Sequence, residues 1–406
     1  MKKNHEISGD HSSTWSVRLV SIALVIAIVL IAFEGASWVV YYQRDYVRNV
    51  LRDIGGIGGV GQLHLDSYEM ADPQISGHWR LRPNFVTSSE ALIAEKSDAG
   101  KWLGAAAVRE TRSNDDLGIF KINSAGFKGP ELDATHRCPR ILALGDSVTF
   151  GIGGLSYPHY VRAALAEEKI NAEVINAGVE GYNPQNILNE MPRYLALKPE
   201  IVTIYIGWNS IFDADIDTIG APTPLKSLWL IRNAVGALDR MISVDASRAT
   251  RTYHRELQPN AENPLIKDIR SFNPAYLGDI TKMINSFRAI NAQVYLITLM
   301  GLYQTDQAPS PAALKVGHLP SWTDNPFVLA ASTERHNDLL KVEADREGVH
   351  LIDLQTWGRE HMNPPEAYFY DSVHFNARGL QQVGAFLASM LVHPVRELKT
   401  ICNLEG

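Results

Sequence analysis

The stretch ILALGDSVTFG, residues 141–151, runs through four apolar residues and then halts at Gly145-Asp146-Ser147 before a Gly-punctuated loop. A short apolar run closed by glycine and polar residues fits a strand buried on both faces. Its polar end reads in two ways. Asp and Ser are preferred helix caps, and a serine held up at a strand end is also how a nucleophile is presented. Working outward, RILAL (140–144) is followed by AEVIN (172–176), IVTIYI (201–206), QVYLITL (293–299) and VHLIDL (349–354), with stretches of helical period between them. That alternation predicts an α/β body, a parallel sheet with helices on both faces. Ligands of such sheets bind outside the carboxyl ends of the strands, so the polar residues that follow these runs are expected to converge.

The first run delivers Gly145-Asp146-Ser147, the second NAGVEG (176–181), the third Gly207-Trp208-Asn209, and the segment after the fifth Asp371-Ser372-Val373-His374. Acyl transfer needs this set. A serine hydroxyl is a weak nucleophile at neutral pH and requires a base, for which His374 is the candidate. Asp371, three residues earlier, is placed to accept from the other imidazole nitrogen and fix its tautomer. The oxyanion that develops needs preorganised donors, and the backbone N–H groups of Ser147 and Gly181 with the side-chain amide of Asn209 supply three. Each block alone has a bland reading, because Gly-x-Asn and Asp-x-x-His are built from loop-favoured residues. Their succession after predicted strands is what selects catalysis.

In this order the four blocks resemble the SGNH (GDSL-type) hydrolase superfamily, whose Ser, Gly, Asn and His match Ser147, Gly181, Asn209 and His374 over roughly residues 138–395. The upstream INSAGFKGPEL (122–132) is similar to a segment of bacterial, membrane-linked members. The resemblance implies a three-layer, flavodoxin-like fold with a five-stranded parallel sheet, ester hydrolysis or acyl transfer, and no metal or cofactor. One position departs from it: many members follow the asparagine with Asp, where this chain has Ser210, which puts local hydrogen bonding in question.

The N-terminus carries LVSIALVIAIVLIAF (19–33), continued by EGASWVVYY to Tyr42. This exceeds the roughly 20 apolar residues that cross about 30 Å of hydrocarbon, and reads as a transmembrane anchor over 19–42. Trp38, Tyr41 and Tyr42 suit a membrane interface. Gly35-Ala36-Ser37 offers a cleaved-signal alternative, against which the run is longer than the usual 7–15 residue signal core. Lys2, Lys3 and Arg18 on one side balance Arg44, Arg48 and Arg52 on the other, so orientation with the body exported is a default. Glu34 lies inside the span, either snorkelling or protonated, or meeting another membrane helix of a partner protein.

The formal charge of −7, from 38 Lys+Arg against 45 Asp+Glu, leaves no basic field for nucleic acid. Two cysteines, Cys138 and Cys402, cannot form a zinc site; in an exported body they are expected to pair as a disulfide. After a tail (1–18) and the anchor, residues 43–63 read as a Gly-rich linker and 64–137 as a small β-rich accessory segment. The body over 138–395 carries a long insertion at 210–271, with an amphipathic helix at 227–242, and ends in a tail at 396–406. The insertion is a surface excursion, a lid or a membrane-facing element. The loop 301–326 brings Tyr303 and Trp322 to the site side, to stack on a sugar ring or to pack the loop. His318, His336, His350 and His361 read as structural, without metal-ligand spacing.

The expectation is a membrane-anchored, extracytoplasmic serine esterase acting on O-acyl, chiefly O-acetyl, esters of a carbohydrate. Its rivals are an O-acyltransferase with the same groups, a lipid or lysophospholipid esterase, and a non-catalytic binding or assembly module.

Overall fold

The computed structural model describes residues 11–42, 65–75, 77–92, 119–152, 154–214, 227, 231, 256–320 and 322–398. They fall in two compact units, one of residues 1–63 with 222–244 and one of 64–221 with 245–406. The linker at 43–63, nearly all of the 227–242 stretch and Cys402 lie outside the described residues.

In the first unit, α1 spans His11–Tyr42 and contains a 21-residue apolar segment, Val20–Val40, with mean hydropathy 2.4. Of the described helices it is the one long and apolar enough to cross a membrane, and its Val, Ile and Leu side chains are exposed rather than packed. Glu34 accepts a hydrogen bond from the backbone N–H of Ser227 at 2.9 Å, so a segment of this same chain meets the carboxylate in the apolar helix.

The second unit is built on five parallel strands, β5 (Arg140–Gly145), β6 (Glu173–Gly178), β7 (Ile201–Tyr205), β8 (Gln293–Ile297) and β9 (His350–Ile352). Their spatial order is β6-β5-β7-β8-β9. This is the flavodoxin-like arrangement, and the order reverses between β5 and β7, where such folds bind ligands. The last strand is shorter than its apolar run. Asp353 leaves the sheet to cap the next helix, its carboxylate accepting from the Thr356 N–H at 3.2 Å.

Alternate residues of β5 serve opposite faces of the sheet, as the two-residue period of a strand requires. Ile141 and Ala143 pack with Val161 and Leu165 of the 157–167 helix and with Leu380, Val383 and Leu387 of the 377–397 helix. Leu142 and Leu144 pack with Ile187, Tyr194, Ile284 and Phe287 from helices on the other face. The body is therefore a three-layer α/β/α sandwich. Gly145 closes β5 because the strand runs hard against Thr149 and the Tyr205 carbonyl, leaving no room for a Cβ.

Residues 64–137 belong to the same compact unit as the sheet. They form two antiparallel pairs, β1 (Glu69–Ala71) with β2 (Trp79–Leu81) and β3 (Val86–Ser88) with β4 (Ile119–Lys121). Tyr68, Leu81, Phe120, Ile122 and Phe127 bury themselves in the same apolar cluster as Leu142 and Phe150. Cys138, just before β5, is disulfide-bonded.

Candidate active site

The site begins where β5 ends. Asp146 caps the short helix α2 (Ser147–Phe150), its carboxylate accepting from the Val148 N–H at 3.0 Å. Ser147 is then the first residue of α2, where a helix offers no internal acceptor for the N–H. The cap and the nucleophile readings of this stretch thus fall on neighbouring residues. Asp146 is fully buried, and burial, against the lowering pull of Val148 N–H and His374, pushes its carboxyl up to about 6.

At its other end α2 is held by the upstream segment. Lys128 is buried, and its ammonium donates to the carbonyls of Phe150 at 2.7 Å and Leu155 at 3.0 Å while lying over the Phe150 ring. Asn176, from β6, donates to the Thr149 carbonyl at 3.0 Å. These donors satisfy carbonyls that the end of so short a helix leaves without partners.

Ser147, His374 and Asp371 come together although 227 residues separate the first two. The Ser147 hydroxyl is 2.7 Å from His374 Nε2, and His374 Nδ1 donates to Asp371 Oδ2 at 2.7 Å. The other Asp371 oxygen accepts from the backbone N–H groups of Val373 and His374, both at 2.8 Å, which ties the carboxylate into the turn that carries the imidazole. Burial opposes ionisation of Asp371; the charge and hydrogen bond of His374 outweigh it and hold the carboxyl below its usual range. The Tyr370 ring stacks on His374 with centroids 5.4 Å apart. A hydroxyl, an imidazole and an ionised carboxylate in this chain can transfer a proton off the serine as it attacks.

Gly181 lies on the loop after β6 and Asn209 just beyond the end of β7. Gly181 has a φ of 77°, a conformation glycine adopts without strain, and is exposed. Asn209, in the short helix α3 (Trp208–Phe212) after β7, is half-buried and donates from Nδ2 to the Tyr182 carbonyl at 2.9 Å. The side-chain amide is thereby oriented by the loop that carries Gly181.

The two aromatic candidates differ in exposure. Tyr303 is 7% exposed and its hydroxyl donates to the Ala313 carbonyl at 3.1 Å, so it packs the 301–326 loop rather than offering a ring face. Trp322 is half-buried and donates from Nε1 to the Ile211 carbonyl at 3.2 Å. It lines a small, mostly apolar cleft with Ser210, Ile269, Phe272, Tyr276 and His336, a wall that includes neither Ser147 nor His374.

Four contributors escape the sequence reading. His318, from the long loop, sits beside Asp371 with Nδ1 3.7 Å from Oδ2. Asp146 reads in sequence as a mere cap. Lys128 stands inside the quoted upstream motif, but nothing in its spacing predicts burial. Trp79 belongs to the accessory segment and packs on the Gly181 loop. His336, by contrast, is structural as expected: it lies against Gly207, and its Nδ1 is 2.7 Å from the Tyr276 hydroxyl.

Among the described residues, two clusters have ligand atoms within 4.8 Å of one another, Asp72 with His78 and Glu190, and Asp66 with Glu69 and Glu180. In the first, Glu190 is already bound by Arg80 at 2.7 Å and by Arg193 at 3.0 Å; against the opposing effect of burial, its hydrogen bonds to His78, Arg193 and Arg80 hold it down at about 2. In the second, the Tyr68 hydroxyl donates to Asp66 at 2.7 Å and also contacts Glu180.

The model of the GDSL-like lipase/acylhydrolase family matches residues 143–382, more than half of the chain. No protein of curated function matches it by sequence. Among solved structures, a lipase/acylhydrolase from Enterococcus faecalis is similar at 16% identity and a TM-score of 0.37, over 63% of this chain and 96% of that one. Axe2, an acetylxylan esterase from Geobacillus stearothermophilus, is similar at 15% identity and a TM-score of 0.38, over 65% and 96%. The acetyl xylan esterase AlAXEase gives 16% and 0.38, over 62% and 99%. Likenesses at this level say nothing about substrate.

Proposed function

The chain belongs to the GDSL-like lipase/acylhydrolase family and is a carboxylic ester hydrolase; we propose that Ser147 is its nucleophile, His374 its general base and acid, and Asp371 the group that orients the imidazole. The observation that carries this reading is the pair of 2.7 Å contacts linking the three side chains at the carboxyl edge of the sheet.

The Ser147 oxygen attacks the ester carbonyl carbon as its proton passes to His374 Nε2. The resulting oxyanion is met by the N–H groups of Ser147 and Gly181 and the Asn209 amide. Collapse expels the alcohol, which takes the proton from His374 and leaves an acyl-serine. Water, deprotonated by the same imidazole, then releases the acid and restores the serine.

For substrate we favour a small O-acyl group, acetyl above all, on a carbohydrate, with α1 as membrane anchor and the catalytic body outside the cytoplasmic face. Two features support it. Gly181 is exposed and Asn209 half-buried, which suits a chain laid across the site, and the apolar cleft beside Trp322 does not include Ser147 in its wall, which disfavours a lipid tail drawn to the nucleophile.

The test uses the full-length protein in detergent, wild type against Ser147→Ala, on aryl acetate and on O-acetylated glycan. Serine-dependent release of free acetate supports the hydrolase. Acetyl appearing on an added glycan acceptor instead of in solution identifies a transferase, and equal inactivity of two folded proteins removes the nucleophile assignment.

A further inference from the structure

The donor attributed to Gly181 is one end of a peptide unit whose other end is the Glu180 carbonyl. A trans peptide is planar, with its C=O and N–H pointing in opposite directions, so whatever fixes the oxygen also aims the hydrogen. The Glu180 oxygen is held by the accessory segment: Trp79 in β2 donates to it from Nε1 at 3.1 Å. The indole edge also packs on Gly181, reaching to 3.0 Å from the point where a Cβ would stand.

The contact is returned. Tyr182 donates from its hydroxyl to the Trp79 carbonyl at 2.5 Å, and the two rings meet edge to face with centroids 5.5 Å apart. The neighbouring peptides are fixed too, since the Tyr182 N–H donates to the Val179 carbonyl at 3.3 Å and the Tyr182 carbonyl accepts from Asn209 at 2.9 Å. Three consecutive peptides around Gly181 therefore have one polar end tied down, and the tie on the peptide that carries the donor comes from Trp79. β2 in turn is seated on the body by an ion pair from Arg80 to Glu190 at 2.7 Å and by the neighbouring His78, whose Nε2 lies 3.0 Å from the same carboxylate.

We propose that Trp79 is a positioning residue for catalysis, its indole N–H aiming the Gly181 N–H at the oxyanion, so that the accessory segment completes the site instead of decorating it. This rests on the assignment of Ser147 and Gly181 given under Proposed function. Glycine is needed at 181 for its φ, but it leaves the peptide free to rotate. A large, half-buried indole from a separate strand pair removes that freedom. Losing an oxyanion donor outright costs about 10²–10³ in rate, and a misaimed donor retains part of its effect.

The experiment compares wild type, Trp79→Phe and Ser147→Ala as full-length proteins, measuring kcat and KM on aryl acetate and inhibition by a small alkyl boronic acid, which forms a tetrahedral adduct on serine. Trp79→Phe keeps an aromatic ring and loses the donor. The expected result is a kcat lower by roughly 10- to 100-fold, a KM within about twofold, and a boronate Ki that rises in parallel with the loss in kcat/KM. If Trp79→Phe does not fold, replacing the indole by benzothiophene, which has the same shape without the N–H, makes the same comparison.

A variant with wild-type kcat and boronate affinity overturns the inference. So does a loss of rate that merely tracks the folded fraction while boronate affinity of the folded protein is unchanged. If the wild type has no Ser147-dependent hydrolysis, the assignment of the nucleophile fails and the role of Trp79 falls with it; wild-type activity that disappears in Ser147→Ala but persists in Trp79→Phe sinks the Trp79 role alone.

Discussion

Asp371 Oδ2 accepts from His374 Nδ1 at 2.7 Å while His318 Nδ1 stands 3.7 Å from the same oxygen, so one carboxylate faces two imidazoles. The two are not equivalent. Burial drives the His318 ring down to about 4 in spite of the upward pull of Asp371, which leaves it neutral at pH 7. His374 alone is bonded to both the carboxylate and the serine hydroxyl.

Asp371→Asn is therefore expected to cost about 10³–10⁴ in kcat, because the amide favours the wrong imidazole tautomer. His318→Leu removes no ion pair at pH 7 and is expected to cost less than about tenfold, the equivalent of one unit in a neighbouring pKa. Steady-state kinetics on aryl acetate decides it, and a comparable collapse in both variants would refute the division of labour.

Asn209→Ala removes the proposed oxyanion donor and also the donor that holds the Tyr182 carbonyl. The expected loss is about 10²–10³ in kcat with KM little changed. A rise in KM with kcat intact would instead mark Asn209 as a ground-state contact.

Lys128→Met leaves the carbonyls of Phe150 and Leu155 buried without their charged donor. Hydrogen bonds to a charged group contribute about 1.5–3 kcal/mol each, so a fall in Tm on the order of 5–10 °C is expected. Differential scanning calorimetry at pH 7 reads it, and an unchanged Tm would show that the ammonium does not secure the end of α2.

Stability should respond to acid through two opposed groups. Burial lowers His336 to about 4, so below its ordinary 6.5 the unfolded chain takes up a proton that the folded chain refuses, and stability falls as pH drops from 6.5 towards 4. Asp146, raised to about 6 by burial, does the reverse: the folded state keeps a proton that the unfolded state has lost, adding stability as pH falls from 6 to 4. His336→Gln should lose less Tm between pH 7 and pH 5 than wild type, and Asp146→Asn, which preserves a capping side chain, should lose more. Parallel slopes in all three proteins would mean that neither group is perturbed as described.

The sheet was legible because most of its strands are buried on both faces and appear as apolar runs, the first three followed by polar residues that gather at the site. His374 and Asp371 were legible for a related reason: the short Asp-x-x-His turn places carboxylate and imidazole together by local geometry. Tyr303 stayed open between stacking and packing because an aromatic in a loop looks available in one dimension, and its burial against Ala313 depends on how the loop folds back. Trp79, Lys128 and His318 were not readable because each acts on residues tens to more than a hundred positions away. Nothing in local spacing encodes such a contact.

Lys128 and Trp79 also set the smallest piece of this chain worth purifying. The family match begins at residue 143, downstream of both. A fragment cut there would keep Ser147, Gly181, Asn209, Asp371 and His374, yet would lack the cation that bonds the end of α2 and the indole that packs on the Gly181 loop. The family match and the compact unit that holds the sheet thus begin about eighty residues apart, at 143 and 64.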